Sequence, residues 1–88
     1  MKTLGQKVRM YTTRFCGDCY RAKFFLTQRE VSFEEIDIEK TPGAAEFVIR
    51  ANNGLRRVPT FEVGGRTFHC SPYDPRKLSR ELGLQGEN

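Results

Sequence analysis

The stretch Val8-Arg-Met-Tyr-Thr-Thr-Arg-Phe-Cys-Gly-Asp-Cys-Tyr-Arg-Ala-Lys-Phe-Phe-Leu26 decides the fold. Val8 to Thr13 is short and β-prone, so it reads as a strand. From Phe15 to Arg29, Cys19, Ala22, Phe25 and Leu26 recur at helical spacing, which predicts a helix with a cysteine pair at its start. Phe33 to Ile38 (FEEIDI) reads as a second strand. A strand, a helix and a strand in this order close with a right-handed crossover and give a parallel pair.

Further along, Thr41-Pro42-Gly43 starts a second helix, with proline tolerated in its first turn. Ala45, Val48 and Ala51 mark its apolar face, and Asn52-Asn53-Gly54 ends it. Thr60 to Val63 is a third strand, Gly64-Gly65 a tight hairpin turn, and Arg66 to His69 a fourth strand. Asp74-Pro75 supplies an N-cap and a first-turn residue for the last helix. Leu78 and Leu82 lie i, i+4 on that helix, and Gly83 ends it. The order β-α-β-α-β-β-α predicts an α/β domain with a mixed four-stranded sheet and three helices packed on it.

The 88 residues are expected to form one domain, 1–88, with no internal repeat, linker or low-complexity tract. With 38% hydrophobic and 30% charged residues, the composition is that of an ordinary soluble domain rather than a disordered chain. No stretch approaches ~18 apolar residues, which excludes a membrane-spanning helix. The N-terminal MKTLGQKVRMYTT has neither an apolar run nor a small-residue cleavage site, so no secretory leader is expected. Net charge is +4, from 15 Lys and Arg against 11 Asp and Glu, but the basic residues cluster only as the pairs Arg56-Arg57 and Arg76-Lys77. Such a mild excess suits small anionic ligands or acidic partner surfaces. It is not the basic stripe of a nucleic-acid binder. Three cysteines cannot close a disulfide framework, and a secreted scaffold of this size usually carries more. A reducing, cytoplasmic setting is expected, where Cys-x-x-Cys reads as redox or metal chemistry.

Cys16 sits at the strand-to-helix junction and Cys19 lies one turn on. Residues i and i+3 of a helix are neighbours, and their separation suits a disulfide, which needs Cα atoms roughly 4.4–6.8 Å apart. Cys16, at the mouth, is the expected attacking thiolate, and Cys19 the thiol that resolves a mixed disulfide. Unpaired N–H groups at a helix start point at such a sulfur, and the helix dipole favours negative charge there. Arg14 and Arg21 are candidate cations beside it, whereas the charge of Asp18 opposes it. Gly17-Asp18 keeps the junction exposed, which argues against two buried structural cysteines. A metal or iron–sulfur carrier using the same cysteines is the alternative reading. Cys16, Cys19, His69 and Cys70 are zinc-compatible types if the loop after the fourth strand lies beside Pro59. Their spacing matches no standard zinc pattern, and no resident metal is expected.

Val58-Pro59 leads the third strand. It is either an ordinary trans loop proline or a cis proline whose preceding N–H and C=O pair with an extended substrate. Arg56 and Arg57 either bind a carboxylate of a substrate thiol or form a solvated loop pair. Cys70 is either packed as a small hydrophobe or a thiol prone to oxidation. Tyr11 is expected to pack in the sheet.

Taken together, Tyr11-Thr-Thr-Arg-Phe-Cys-Gly-Asp-Cys19 and Arg57-Val-Pro-Thr60 resemble the glutaredoxins of the thioredoxin-fold superfamily, over about residues 7 to 83. The chain is most similar to the mycoredoxin-like branch. That branch carries a like Tyr-Thr-Thr, an aromatic before the first Cys and a Gly after it. Asp37-Ile38-Glu39, Ala44-Ala-Glu-Phe-Val48 and Asn53-Gly54 also match it. The resemblance implies a thioredoxin-like fold and a cytoplasmic monomer that reduces mixed disulfides between proteins and a low-molecular-weight thiol. It implies that Cys16 attacks, Cys19 resolves, Pro59 is cis and Val58 pairs with the substrate backbone. Thr13, Phe15, Arg57, His69 and Cys70 are the further positions expected around the substrate. No prosthetic group is implied, only a reductant: mycothiol, glutathione or a flavoprotein reductase. The partners implied are oxidised or S-thiolated proteins.

The chain also departs from the common glutaredoxin pattern. Gly17 and Asp18 replace Pro and an aromatic between the cysteines, and Thr13 replaces a Lys three residues before the first. Phe68-His69 fills the place of a Gly-Gly pair that helps hold the γ-glutamyl end of glutathione. A smaller, less anion-friendly pocket there points toward mycothiol or a reductase of thioredoxin-reductase type.

Overall fold

Strand β1 (Val8–Thr12) is apolar towards both faces, as a central strand must be. Val8 and Met10 join one core cluster and Tyr11 the other. In the computed structural model, which describes residues 7–84, β1 is followed by α1 (Gly17–Gln28), β2 (Glu34–Asp37), α2 (Ala44–Ala51), β3 (Thr60–Val63), β4 (Arg66–His69) and α3 (Pro75–Glu81). Residues 1–6 and 85–88, the ends of the expected domain and the start of the stretch read for a leader, lie outside the described residues. Among the described residues no helix is long and apolar enough to cross a membrane.

The sheet order is β2-β1-β3-β4. β1 pairs parallel with β2 and antiparallel with β3, and β3 pairs antiparallel with β4. The mixed four-stranded sheet and the β-α-β-α-β-β-α order are those expected from the sequence. Gly64 and Gly65 both take positive φ (54° and 84°), the backbone a two-residue hairpin turn requires. Helices α1 and α3 cover one face through Ala22, Phe25, Leu26, Leu78 and Leu82. Helix α2 covers the other through Ala44 and Val48, with Phe47 stacked on Tyr11 at 4.8 Å between ring centres.

Several boundaries differ from the sequence reading. Helix α1 begins at Gly17 rather than Phe15, because Cys16 holds an extended backbone (φ −132°, ψ 106°) and caps the helix. β1 ends at Thr12, and β2 covers Glu34–Asp37 rather than Phe33–Ile38, the span that pairs with Arg9–Thr12. In α2 the buried face is Ala44 and Val48, with Ala45 and Ala51 only partly covered. Gly43 (φ 83°) is left-handed and stands just before the helix, and Ala44 is the residue one turn before Val48 that packs with Tyr11 and Ile38.

One buried polar junction leads into β3. The Thr60 hydroxyl donates to the Arg57 carbonyl (2.6 Å) and accepts from the Asn52 amide (3.0 Å). Asn52 also donates to the Val48 carbonyl (2.8 Å), so α2 and the start of β3 are tied at one point. Thr60→Val keeps the volume but leaves these buried groups short of a partner. It is expected to lower stability by about 1–3 kcal/mol, seen as a lower urea midpoint at unchanged m-value.

Candidate active site

The turn from β1 into α1 carries Thr13, Arg14 and Phe15 to the surface and ends at Cys16. The Cys16 sulfur accepts the backbone N–H of Cys19 at 3.0 Å, as an N-cap side chain does. It also lies 3.8 Å from the carbonyl oxygen of Val58, to which its thiol donates. Cys16 is half-buried, Cys19 is 2% exposed and Cys70 is 0% exposed, and all three are free thiols. Of the two redox candidates, only Cys16 is open to an incoming disulfide.

Burial pushes the Cys19 thiol up to about 12. Its hydrogen bond with Cys16 adds to this, and a backbone hydrogen bond with Thr13 pulls it back. Asp18 is engaged by Arg21 at 3.0 Å, and an ideal Cβ built on Gly17 would lie 3.4 Å from that guanidinium. Arg14 lies over the Phe15 ring at 5.2 Å. The two arginines expected beside the sulfur are thus occupied with Asp18 and Phe15. The Cys19 N–H is what addresses Cys16 directly.

The Val58–Pro59 peptide is cis, and Ser71–Pro72 is a second cis bond. Pro59 is fully buried and its carbonyl accepts the Cys70 N–H at 3.0 Å, so the loop after β4 does lie beside it. Half-buried Val58 is therefore the member of the pair that faces Cys16. Phe15 is 89% exposed, an apolar surface beside the cysteine. Thr13 lines a cleft of about 120 Å³ that reaches both cysteines. His69 is half-buried with its Nδ1 accepting the Ser71 N–H at 3.3 Å. Burial, then the charges of Lys77 and Arg57, lower its pKa, which favours the neutral imidazole.

One expectation needs correction, and one alternative finds no support. The resemblance puts Cys70 among the substrate contacts, but it packs in the core between the sheet and α3. Its sulfur accepts the Asp74 N–H (3.3 Å) and its thiol donates to the Asp74 carbonyl (3.4 Å), while burial pushes its pKa up. The small-hydrophobe reading is the one its surroundings fit. The quartet Cys16, Cys19, His69 and Cys70 also does not gather. Among the described residues no three His, Cys, Asp or Glu side chains are grouped to hold one metal ion.

Sequence reasoning missed Lys23, Glu35, Asp37 and Lys77. The first three line the cleft at the cysteines, where Glu35 takes Lys23 (3.0 Å) and the Thr12 hydroxyl (3.1 Å). Only the parallel register of β1 with β2 brings Glu35 and Asp37 there, and no local signal marks that.

The glutaredoxin family profile matches residues 8–68, most of the chain and all of this site up to β4. The chain belongs to the glutaredoxin family. A candidate glutaredoxin of Mycobacterium tuberculosis is 49% identical over 63 residues, 72% of this chain and 75% of that one. The solved NrdH-redoxin of Escherichia coli, a glutaredoxin-like protein, is 27% identical with a TM-score of 0.70, covering 93% of this chain and 99% of its own. A point mutant of the thioredoxin-like protein BC3987 shares the fold with a TM-score of 0.76 at 24% identity, over 90% and 97% of the two chains. This glutaredoxin is thus a thiol–disulfide oxidoreductase of thioredoxin fold with the pair Cys16–Cys19.

The raised Cys19 thiol has a consequence for stability. Its proton is lost near pH 8.5 in an unfolded chain but is kept up to about pH 12 in the fold. Between these values the folded state binds more protons, so stability falls as pH rises, and below them the group contributes nothing. Cys70, Tyr11 and Tyr73 are raised in the same sense by burial. Urea unfolding at a series of alkaline pH values is expected to show this fall, with a shallower slope for Cys19→Ala than for wild type.

Proposed function

We propose that this glutaredoxin reduces mixed disulfides between proteins and a low-molecular-weight thiol of the mycothiol class, in a reducing cytoplasm. The observation that carries the reading is the asymmetry of the pair: Cys16 open and hydrogen-bonded by the Cys19 N–H, Cys19 buried and protonated. The Cys16 thiolate attacks one sulfur of the substrate disulfide. The S–S bond breaks, the other sulfur leaves as a thiolate, and a mixed disulfide remains on Cys16. Either a second small thiol attacks that mixed disulfide and frees Cys16, or Cys19 gives up its proton and closes Cys16–Cys19. A reductant then restores the dithiol.

Val58 is suited to pair with the substrate backbone because its carbonyl already lies at the sulfur. Phe15 offers an apolar contact to a protein partner. Arg57 and Lys77, whose charges reach His69, are suited to a carboxylate on the thiol. Phe68 and His69 occupy the end of β4, where a more open turn would leave room for the γ-glutamyl end of glutathione. A second reading, reduction of Cys16–Cys19 by a thioredoxin-reductase-type flavoprotein, is favoured by the likeness to the E. coli NrdH-redoxin, whose activity profile is described as thioredoxin-like.

Stopped-flow mixing of the reduced protein with peptide disulfides of mycothiol and of glutathione tests this. Fast transfer from the mycothiol disulfide, abolished in Cys16→Ser, is expected. Cys19→Ser is expected to keep the first step and accumulate the mixed disulfide, seen as an added mass. No transfer from either disulfide in the wild type sinks the mixed-disulfide reading and leaves the flavoprotein route. Arg57→Gln is expected to raise KM for the mycothiol disulfide roughly three- to tenfold with kcat nearly unchanged, as for a lost binding contact.

A further inference from the structure

Among the described residues, large apolar side chains stay in solvent at Phe15, Tyr20, Phe24 and Leu55, and the first three belong to the entry and outer face of α1. They are 89%, 59% and 66% exposed. Cys16, Tyr20 and Phe24 follow one another at intervals of four residues, the spacing that stacks side chains along one helix face. The Tyr20 N–H donates to the Cys16 carbonyl at 3.1 Å, and Tyr20 lines the cleft that reaches both cysteines. Its hydroxyl donates to the Arg14 carbonyl at 3.4 Å, which ties this face to the turn that holds Phe15. At 1.5 Å per residue, Phe24 stands roughly 12 Å along the helix from Cys16. A row of aromatic rings therefore starts beside the reactive cysteine and runs away from it along α1. Lys23 lies over the Tyr20 ring at 5.3 Å and Arg14 over the Phe15 ring at 5.2 Å, yet both rings stay more than half exposed.

Packing does not call for this row. The inner face of α1 already covers the sheet with Cys19, Ala22, Phe25 and Leu26, and a helix so placed ordinarily turns polar residues outward. Single exposed apolar residues are ordinary, whereas an apolar patch of a few hundred Å² marks a contact surface. With aromatic side chains of about 150–250 Å² each, the three rings offer roughly 300–550 Å² at these exposures. That falls short of the ~800 Å² per partner of a standard stable interface and suits the smaller contact of a transient redox encounter. A second copy of the chain is thus the poorer occupant. The family's chemistry brings a protein disulfide to Cys16, so the row continues the surface that this partner already has to cover.

We propose that the α1 row docks the protein substrate, taking an apolar segment that flanks its disulfide by about 12 Å while the disulfide itself lies at Cys16. The inference rests on thiol–disulfide exchange at Cys16 and adds the feature by which a protein is preferred over a small disulfide. Phe24 is then a specificity-determining residue with no part in the chemistry.

Exchange of the reduced full-length protein with three symmetric disulfides tests this. They are cystine, a one-cysteine peptide dimer with Leu at the third and fourth positions on both sides of the Cys, and its counterpart with Ser there. Extended residues span about 3.3 Å each, so these positions reach as far as Phe24. The Leu peptide is expected to react roughly three- to tenfold faster than the Ser peptide, the size of one partly buried apolar contact. This preference is expected to fall below about twofold in Phe24→Ser and to persist in Phe24→Leu, with the cystine rate unchanged in both. Equal rates for the two peptides in the wild type, or an undiminished preference in Phe24→Ser, would overturn the docking row and leave the exchange chemistry standing. No exchange with any of the three disulfides would overturn that chemistry and the inference with it. Sedimentation of the wild type is expected to show a monomer. A dimer lost in Phe24→Ser would assign the row to a second copy and overturn the proposal.

Discussion

The hydrogen bond from the Cys19 N–H to the Cys16 sulfur joins chain geometry to chemistry. At 3.0 Å it makes the cysteine side chain the N-cap of α1. The four N–H groups at a helix start have no partner within the helix, and here one of them is satisfied by the group that reacts. The helix therefore begins where the reactive sulfur stands. Cys19, inside the first turn and facing the sheet, is buried by that choice, and Phe15, just outside the helix, is left in solvent. The difference in exposure between the two thiols follows from their positions on either side of a helix start.

The second constraint is the entry to β3. Val58 must lie with its carbonyl near the Cys16 sulfur, and Pro59 must be buried against the Cys70 backbone. Thr60, Asn52 and the Arg57 carbonyl supply the polar fastening, and α2 is drawn into it through the Val48 carbonyl. Cys70 contributes by filling core volume and by holding the Asp74 backbone ahead of α3. The third thiol thus serves the fold, while the loop that contains it lies against Pro59 in the wall of the site.

Charges near the cysteines act mostly on each other. Asp18 is taken by Arg21 and Glu35 by Lys23, pairs with substantial exposure that are worth at most about 1 kcal/mol each. Their effect is to keep the Cys16 surroundings from being dominated by one sign. At His69, by contrast, burial and then the charges of Lys77 and Arg57 lower the pKa of the imidazole.

The sequence by itself determined the element order, the hairpin turn, the place of the cysteine pair at a helix start and the family. Each rests on short-range chemistry: apolar spacing, Gly-Gly, Asp-Pro, and Cys-x-x-Cys after a strand. Only the tertiary structure decided which side chains surround those cysteines. Strand register carries Glu35 and Asp37 to the cleft, and α3 carries Lys77 toward His69. It also decided that Cys70 is core, because burial depends on what α3 packs over and not on the residues beside it. Helix phase was the weakest local reading. Ala45 and Ala44 lie three and four residues before Val48, both about one turn back, so spacing alone does not choose between them, and it is the packing of α2 with Tyr11 and Ile38 that buries Ala44.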